Sequence, residues 1–248
     1  MKFFKQILDF YINTSIHVAV AVFSLVQITK LSLNSSTNSN LDCFIFFGTI
    51  LGYNFLKYFE VFRNQVFTIK KNYAILFISL MAISGMIFYF FQLEKATQIA
   101  FLKIGFIVLI YPFLRKYGFF KMFVVALCVT YITAYIPNLN YKLNWIYLFQ
   151  RFLIVICLLI PLEICDLATD SKTLKTLPRI IGIQNLKILG YFLLIICYFL
   201  KLSQGFGIEI PILIAFAIFF SNENRTKYYT SFWVESIPIF WWILLYLD

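Results

Sequence analysis

Charge is scarce in this 248-residue sequence: only 13% of it is Asp, Glu, Lys or Arg, against 62% apolar residues. A soluble domain is nearer one quarter charged and half apolar, and could not hide so much apolar surface and stay dispersed. Composition therefore excludes a soluble fold and leaves a chain embedded in a bilayer. Histidine is reduced to His17, which excludes a metal centre built on several imidazoles. No Cys-x-x-Cys pair occurs. Cys43, Cys128, Cys157, Cys165 and Cys197 all lie in or beside apolar runs, the setting of small buried hydrophobes rather than of ligands or disulfides. A cleavable secretory signal is not expected either. Lys2 and Lys5 precede an apolar run, but Asp9 and Asn13-Thr14-Ser15 interrupt it and no small-x-small site follows.

Long apolar runs are what the sequence has. A spanning helix needs about 20 largely apolar residues, and only helices let such segments satisfy their own backbone in lipid. Nine runs qualify as expected spans: Phe10–Leu33, Leu41–Phe62, Tyr73–Leu93, Thr97–Leu114, Phe119–Ile136, Trp145–Cys165, Leu186–Leu202, Phe206–Phe220 and Phe232–Leu247. The expected fold is all-α, one integral-membrane domain over residues 1–248 with about nine transmembrane helices.

The formal charge of +10 would suggest nucleic acid in a soluble protein. Here the basic residues fall in short loops, which points to topology and to anionic lipid or phosphate, with no nucleic-acid partner. One side of the nine-span layout collects Lys2, Lys5, Lys57, Arg63, Lys70, Lys71, Arg115, Lys116, Lys121, Lys172, Lys175, Arg179, Lys187, Arg225 and Lys227. The other collects Lys30, Lys95, Lys142 and Lys201, while Lys103 and Arg151 lie inside spans. That bias predicts a cytoplasmic N-terminus. No soluble domain fits between the spans. The longest inter-span stretch, Asp166 to Asn185, is on the basic side, so chemistry is expected there.

Three of the rare acidic residues lie together in Pro161-Leu-Glu163-Ile-Cys-Asp166-Leu-Ala-Thr-Asp170. Spacings of three and four place Glu163, Asp166 and Asp170 on one helix face. Like charges repel at those spacings, and they sit at the negative end of the sixth span's dipole. Partial burial adds to the cost, so something cationic must compensate. Either a divalent ion does so, for which an oxygen-only donor set favours Mg2+, or Lys172, Lys175 and Arg179 in the following loop do.

Asp166-x-x-x-Asp170, followed by Lys175-Thr176-Leu177-Pro178 and Gly182, resembles the second aspartate-rich motif of the UbiA superfamily of intramembrane prenyltransferases. Glu163 falls where many members carry a further acidic residue. Tyr111-Pro112-x-x-Arg115-Lys116, at the basic end of the fourth span, looks like the family's Tyr-Pro-x-x-Lys-Arg element. The nine-span layout agrees. The first motif departs from the pattern: where the family carries Asn-Asp-x-x-Asp, this chain has Asn54, with Phe55 and Tyr58 at the aspartate positions and Lys57 beside them. The family's Arg-Pro near the first span is not evident.

The resemblance implies a helical bundle around a central cavity, and the expected location is a bacterial inner membrane. It implies Mg2+-dependent transfer of an isoprenyl group from an isoprenyl diphosphate to an aromatic or lipid acceptor. Asp166, Asp170 and Asn54 would be catalytic. Asp166, Asp170, Glu163 and Asn54 would hold Mg2+, and Lys57, Arg115, Lys116 and Lys175 would bind the diphosphate. A second reading is a degenerate member that binds isoprenoid or lipid without turnover. A small transporter ranks last, because the acidic residues gather at one membrane face rather than at mid-depth.

Overall fold

The computed structural model describes residues 2–33, 39–63, 69–114, 118–139, 144–170, 174–200 and 207–247. They form an all-helical fold: α1 (Lys2–Asn13), α2 (Ile16–Leu33), α3 (Ser39–Arg63), α4 (Ile69–Phe90), α5 (Lys95–Leu114), α6 (Gly118–Thr130), α7 (Trp145–Asp166), α8 (Leu177–Ile181), α9 (Ile183–Leu200), α10 (Glu209–Phe220) and α11 (Ile237–Leu247). A π-helical turn, Tyr131–Tyr135, and a 3-10 turn, Ile136–Asn138, extend α6, and a π-helical turn, Tyr229–Val234, leads into α11.

Seven of the described helical segments are long and apolar enough to cross a membrane. The two expected spans outside that set are α3 and α10. The first carries Asp42, Asn54, Lys57 and Glu60 along its length, and the second is only 12 residues long. The expected first span also divides. Residues 10–33 are not one helix: α1 ends at Asn13, Ser15 takes a positive φ of 62°, and α2 starts at Ile16. Thr14 contributes by turning its hydroxyl back onto the Phe10 carbonyl at 2.8 Å, the local bonding through which Ser and Thr compete with helix continuation. α1 leaves Phe3, Phe4 and Ile7 exposed.

The packing has two centres. α7 lies against α6, α9 and α10, and α2 lies against α3 and α11. The spanning stretch of α7 is 67% buried, whereas that of α4 is 6% buried, so α7 is the internal helix and α4 a peripheral one. Ile154, Ile160 and Ile164 of α7 meet Leu186 and Leu194 of α9, Ile214 and Ile218 of α10 and Trp241 of α11. Large apolar side chains such as Phe77, Leu80, Phe88, Leu102 and Phe106 point outward, as a lipid-facing surface requires and a water-facing one does not tolerate. Of the five cysteines, all free, Cys157 and Cys197 are buried and the other three are partly exposed.

Some polar groups inside the bundle are paired across helices. Arg151 of α7 is buried; its Nη2 donates to the Tyr147 hydroxyl at 2.6 Å and the Thr29 hydroxyl at 3.2 Å. Its guanidinium also lies over the Tyr147 and Trp241 rings, 5.5 and 5.1 Å from their centroids, where the ring faces attract a cation. At the end of the bundle opposite Asp166, Lys30 of α2 pairs with Asp42 of α3.

α1 is tied to the start of the last span. Asp9 Oδ1 accepts from the Tyr228 hydroxyl at 2.7 Å and lies 3.1 Å from Lys227 Nζ. The Tyr228 hydrogen bond, and then Lys227, hold the Asp9 carboxyl below its ordinary range. A carboxylate with a depressed folded pKa stabilises the folded state above its unfolded pKa, about 3.9, and that contribution is lost as pH falls through the lower folded value. Acidification below about pH 4 should therefore free α1. Protection of the amides of residues 2–13, taken relative to the intrinsic exchange rate at each pH, is expected to fall there in the wild type, and to be low on both sides of that pH in Asp9→Asn.

Candidate functional site

The acidic end of α7 is built by helix spacing, a turn and a neighbouring helix. Glu163 and Asp166 are one turn apart on α7. The helix stops at Asp166, so Asp170 does not extend the same helical face as expected from spacing alone. The turn after it keeps the helical pitch: Asp170 N–H donates to the Asp166 carbonyl at 2.8 Å, which returns the third carboxylate to the other two.

The compensating cation comes from α6. Lys121 Nζ is 3.1 Å from Glu163 Oε1, 3.0 Å from Asp166 Oδ2 and 3.6 Å from Asp170 Oδ2. The side chains of Lys121, Glu163 and Asp170 are only 12%, 5% and 7% exposed, whereas Asp166 is 45% exposed. Three carboxylates thus share one largely desolvated ammonium, and Asp166 alone opens outward. Glu163 Oε2 is buried with no hydrogen-bond partner. Gly118 permits this approach. A Cβ there would lie 3.0 Å from the Lys175 carbonyl group and the Thr176 nitrogen, so the 174–176 segment rests directly on the first turn of α6, and Lys121 follows three residues later on the same face.

Two of the loop cations expected to neutralise the cluster, Lys175 and Arg179, lie among the described residues. Arg179 donates to the main-chain carbonyls of Leu174, Leu167 and Asp170 at 3.0, 3.2 and 3.0 Å, which ties the loop back over the end of α7 and satisfies carbonyls left open there. Lys175 is exposed. Leu177 and Pro178 are buried, and Gly182, with φ of 85°, turns the chain from α8 into α9 through a region that favours glycine. Lys172, Arg115 and Lys116 lie outside the described residues.

The first-motif positions meet the break between α1 and α2. Asn54 is buried; its Oδ1 accepts from the Ser15 hydroxyl at 2.8 Å and its Nδ2 donates to Ser79 Oγ of α4 at 3.0 Å. Lys57 Nζ lies 3.4 Å from the Ile12 carbonyl, and the Tyr58 hydroxyl donates to the Asn13 carbonyl at 3.0 Å. The last carbonyls of a helix lack intrahelical partners and carry the negative end of its dipole. A lysine and a tyrosine hydroxyl are suited to them.

Two further residues join this end of the bundle that sequence reasoning did not single out as site residues. In the sequence Lys121 is one of the basic residues on the positively charged side of the spans, with no further mark. Glu235 sits at the end of the π-helical turn before α11; it interacts electrostatically with Lys57 and Asp166, and its Oε2 is buried without a hydrogen-bond partner. The same turn is anchored by His17, whose Nε2 lies 3.0 Å from the Phe232 carbonyl and whose ring stacks on Phe232 at 5.0 Å. A π turn shifts the register of the residues beyond it, and Glu235 is the first residue after this one. A separate cleft of about 530 Å³, lined by Gly182, Asn185, Lys187, Ser221 and Asn222 among others, contains none of the expected site residues.

Mg2+ requires near-octahedral oxygens at about 2.0–2.1 Å around one point. Lys121 Nζ occupies the point shared by Glu163, Asp166 and Asp170, so these carboxylates do not fit Mg2+ in this arrangement. Among the described residues, no group of three or more His, Cys, Asp and Glu side chains is placed to hold a metal ion.

The clamp on the helix break gives a direct expectation. In Asn54→Leu, the Ser15 and Ser79 hydroxyls both lose a partner in a buried setting, at a cost of about 1–3 kcal/mol. A lower thermal unfolding midpoint for the purified protein in detergent should result; an unchanged midpoint would show that Asn54 does not secure the break.

No family model matches the sequence, and no curated protein matches it. The fold is similar to that of a solved structure, a UbiA homolog from Archaeoglobus fulgidus bound to GPP and Mg2+, with a TM-score of 0.60 and 13% sequence identity over 96% of this chain and 98% of that one. That likeness extends over nearly the whole of both chains and establishes a UbiA-like helical fold.

Proposed function

We propose that this protein binds an isoprenyl diphosphate at the end of the bundle where α3, α6, α7 and the last span meet, and transfers the isoprenyl group to a hydrophobic acceptor, an aromatic ring or a lipid. The observation that carries this reading is the fold likeness to a UbiA homolog bound to GPP and Mg2+. The excess of Lys and Arg on one side of the spans supports a cytoplasmic N-terminus and a cytoplasmic entrance to the site.

Departure of a diphosphate leaves positive charge on the allylic carbon and negative charge on the leaving group, and fixed cations near the latter lower the barrier. Lys57, Lys175, Arg115 and Lys116 are the proposed diphosphate-binding residues. Asp166 and Asp170 hold Lys121 as a fixed positive charge beside them, and Asn54 fixes the helix that carries Lys57. Glu163, Asp166, Asp170 and Asn54 are the oxygen donors that the family resemblance assigns to Mg2+; at the three carboxylates Lys121 supplies the positive charge. Aromatic side chains along the helices would shield the allylic cation from water.

One observation favours a second reading, isoprenoid or lipid binding without turnover. Asn54, Lys57 and Tyr58, the counterparts of the first motif, all bond to the break between α1 and α2 or to α4.

Radiolabelled geranyl diphosphate, offered to the full-length protein in nanodiscs with mixed aromatic acceptors, separates the two. Transfer predicts diphosphate release and a prenylated product, with a loss of about a hundredfold or more in Asp166→Asn. Full activity in that variant would sink the proposed mechanism. Saturable binding without release selects the second reading, and absence of binding refutes both.

A further inference from the structure

We infer that Lys121 is a built-in cation that takes the place of a divalent ion at the Glu163–Asp166–Asp170 cluster. The inference deepens the reading of this end of the bundle as the diphosphate site. It stands on the placement of one side chain.

Three carboxylates this close cannot all remain charged and desolvated without a positive partner. A water-filled or loop-borne solution was open to the sequence, since Lys172, Lys175 and Arg179 follow the cluster directly. In the structure an ammonium comes from α6, a different span, and reaches one oxygen of each carboxylate within 3.0–3.6 Å. An ammonium has donors and no acceptor; this one donates to Asp166 Oδ2 at 3.0 Å and pairs electrostatically with Glu163 and Asp170 at 3.1 and 3.6 Å. Its stem is buried together with Glu163 and Asp170, which separates it from a solvated surface lysine that meets acids only in passing.

The arrangement also has a supporting frame. Gly118, one turn before Lys121, admits the Lys175–Thr176 backbone at a distance that a side chain would obstruct. The segment carrying the Thr-Leu-Pro sequence therefore presses on the same helix turn that delivers the cation. The opposite half of the site is consistent: where carboxylates would demand a second metal ion, Asn54, Phe55 and Tyr58 bring none. A site with one acidic half needs fewer positive charges, and Lys121 supplies a permanent one.

The consequence is that the folded protein does not depend on a divalent ion at this cluster, and binds one there only when Lys121 is removed. Mn2+ binding, read by electron paramagnetic resonance, and thermal unfolding with EDTA or with Mn2+ test this on the full-length protein in detergent. The wild type should bind no Mn2+ above the level of a Glu163→Gln/Asp166→Asn/Asp170→Asn control, and its unfolding midpoint should be the same with EDTA and with Mn2+. Lys121→Gln should unfold at a lower temperature in EDTA, be restored by Mn2+, and bind Mn2+ at least tenfold more tightly than the wild type. Lys121→Arg should retain the wild-type indifference. Stoichiometric Mn2+ binding by the wild type overturns the inference, as does a Lys121→Gln protein that neither weakens in EDTA nor gains affinity. If Lys121→Gln cannot be purified, wild-type Mn2+ binding decides alone: binding at the control level sustains the inference and stoichiometric binding ends it. No isoprenoid enters the measurement, so a failure of prenyl transfer does not affect this result, and Mn2+ on the wild type would leave the prenyl-transfer reading standing.

Discussion

The cost of holding charge away from water is the constraint around which this bundle is arranged. An isolated carboxylate or ammonium in an apolar interior is too expensive to persist, and an acid cluster multiplies the expense. Glu163, Asp166 and Asp170 are tolerated because Lys121 reaches all three. That single requirement fixes the neighbourhood of α6 and α7, brings the 174–176 segment down onto Gly118, and leaves Asp166 as the carboxylate open to the outside. Arg151 follows the same logic with different partners: two hydroxyls and two aromatic faces from α2, α7 and α11 disperse its charge where no acid is paired with it.

Irregular backbone appears where these polar contacts need it. Residues 13–15 interrupt the first apolar run, and the groups exposed by that break are taken up by Asn54, Lys57 and Tyr58 of α3. The π turn before α11 is held by His17 through the Phe232 carbonyl and is followed at once by Glu235. In a bilayer, non-helical backbone is tolerated only where protein satisfies it, and both irregular segments are satisfied by side chains from another helix. Both of these segments also adjoin the same polar end of the bundle.

For function, the two halves of the polar end have diverged. The α7 half keeps its acids but carries its own cation. In the α3 half, Asn54, Lys57 and Tyr58 bond to the break between α1 and α2 and to α4. In this UbiA-like fold the charge needed at the acidic cluster is supplied in the described residues by Lys121.

Much of this was determined by the sequence alone, because hydropathy is a local property. Apolar runs of spanning length made the all-helical membrane fold legible, the spacing of Glu163, Asp166 and Asp170 announced an acidic cluster in need of a cation, and Asp166-x-x-x-Asp170 with its Thr-Leu-Pro tail pointed to the UbiA-like fold that the structure bears. Tertiary structure alone decided which cation answers the cluster. Lys121 and Asp166 are 45 residues apart, and nothing in the intervening sequence marks that lysine over Lys172, Lys175 or Arg179. The break at Ser15 and the inward placement of Glu235 were equally hidden: the first rests on a hydroxyl 39 residues from Asn54, and the second on a π turn stabilised by a histidine from the far end of the chain. Pairings between distant segments depend on which helices touch, and no local pattern of residues encodes that.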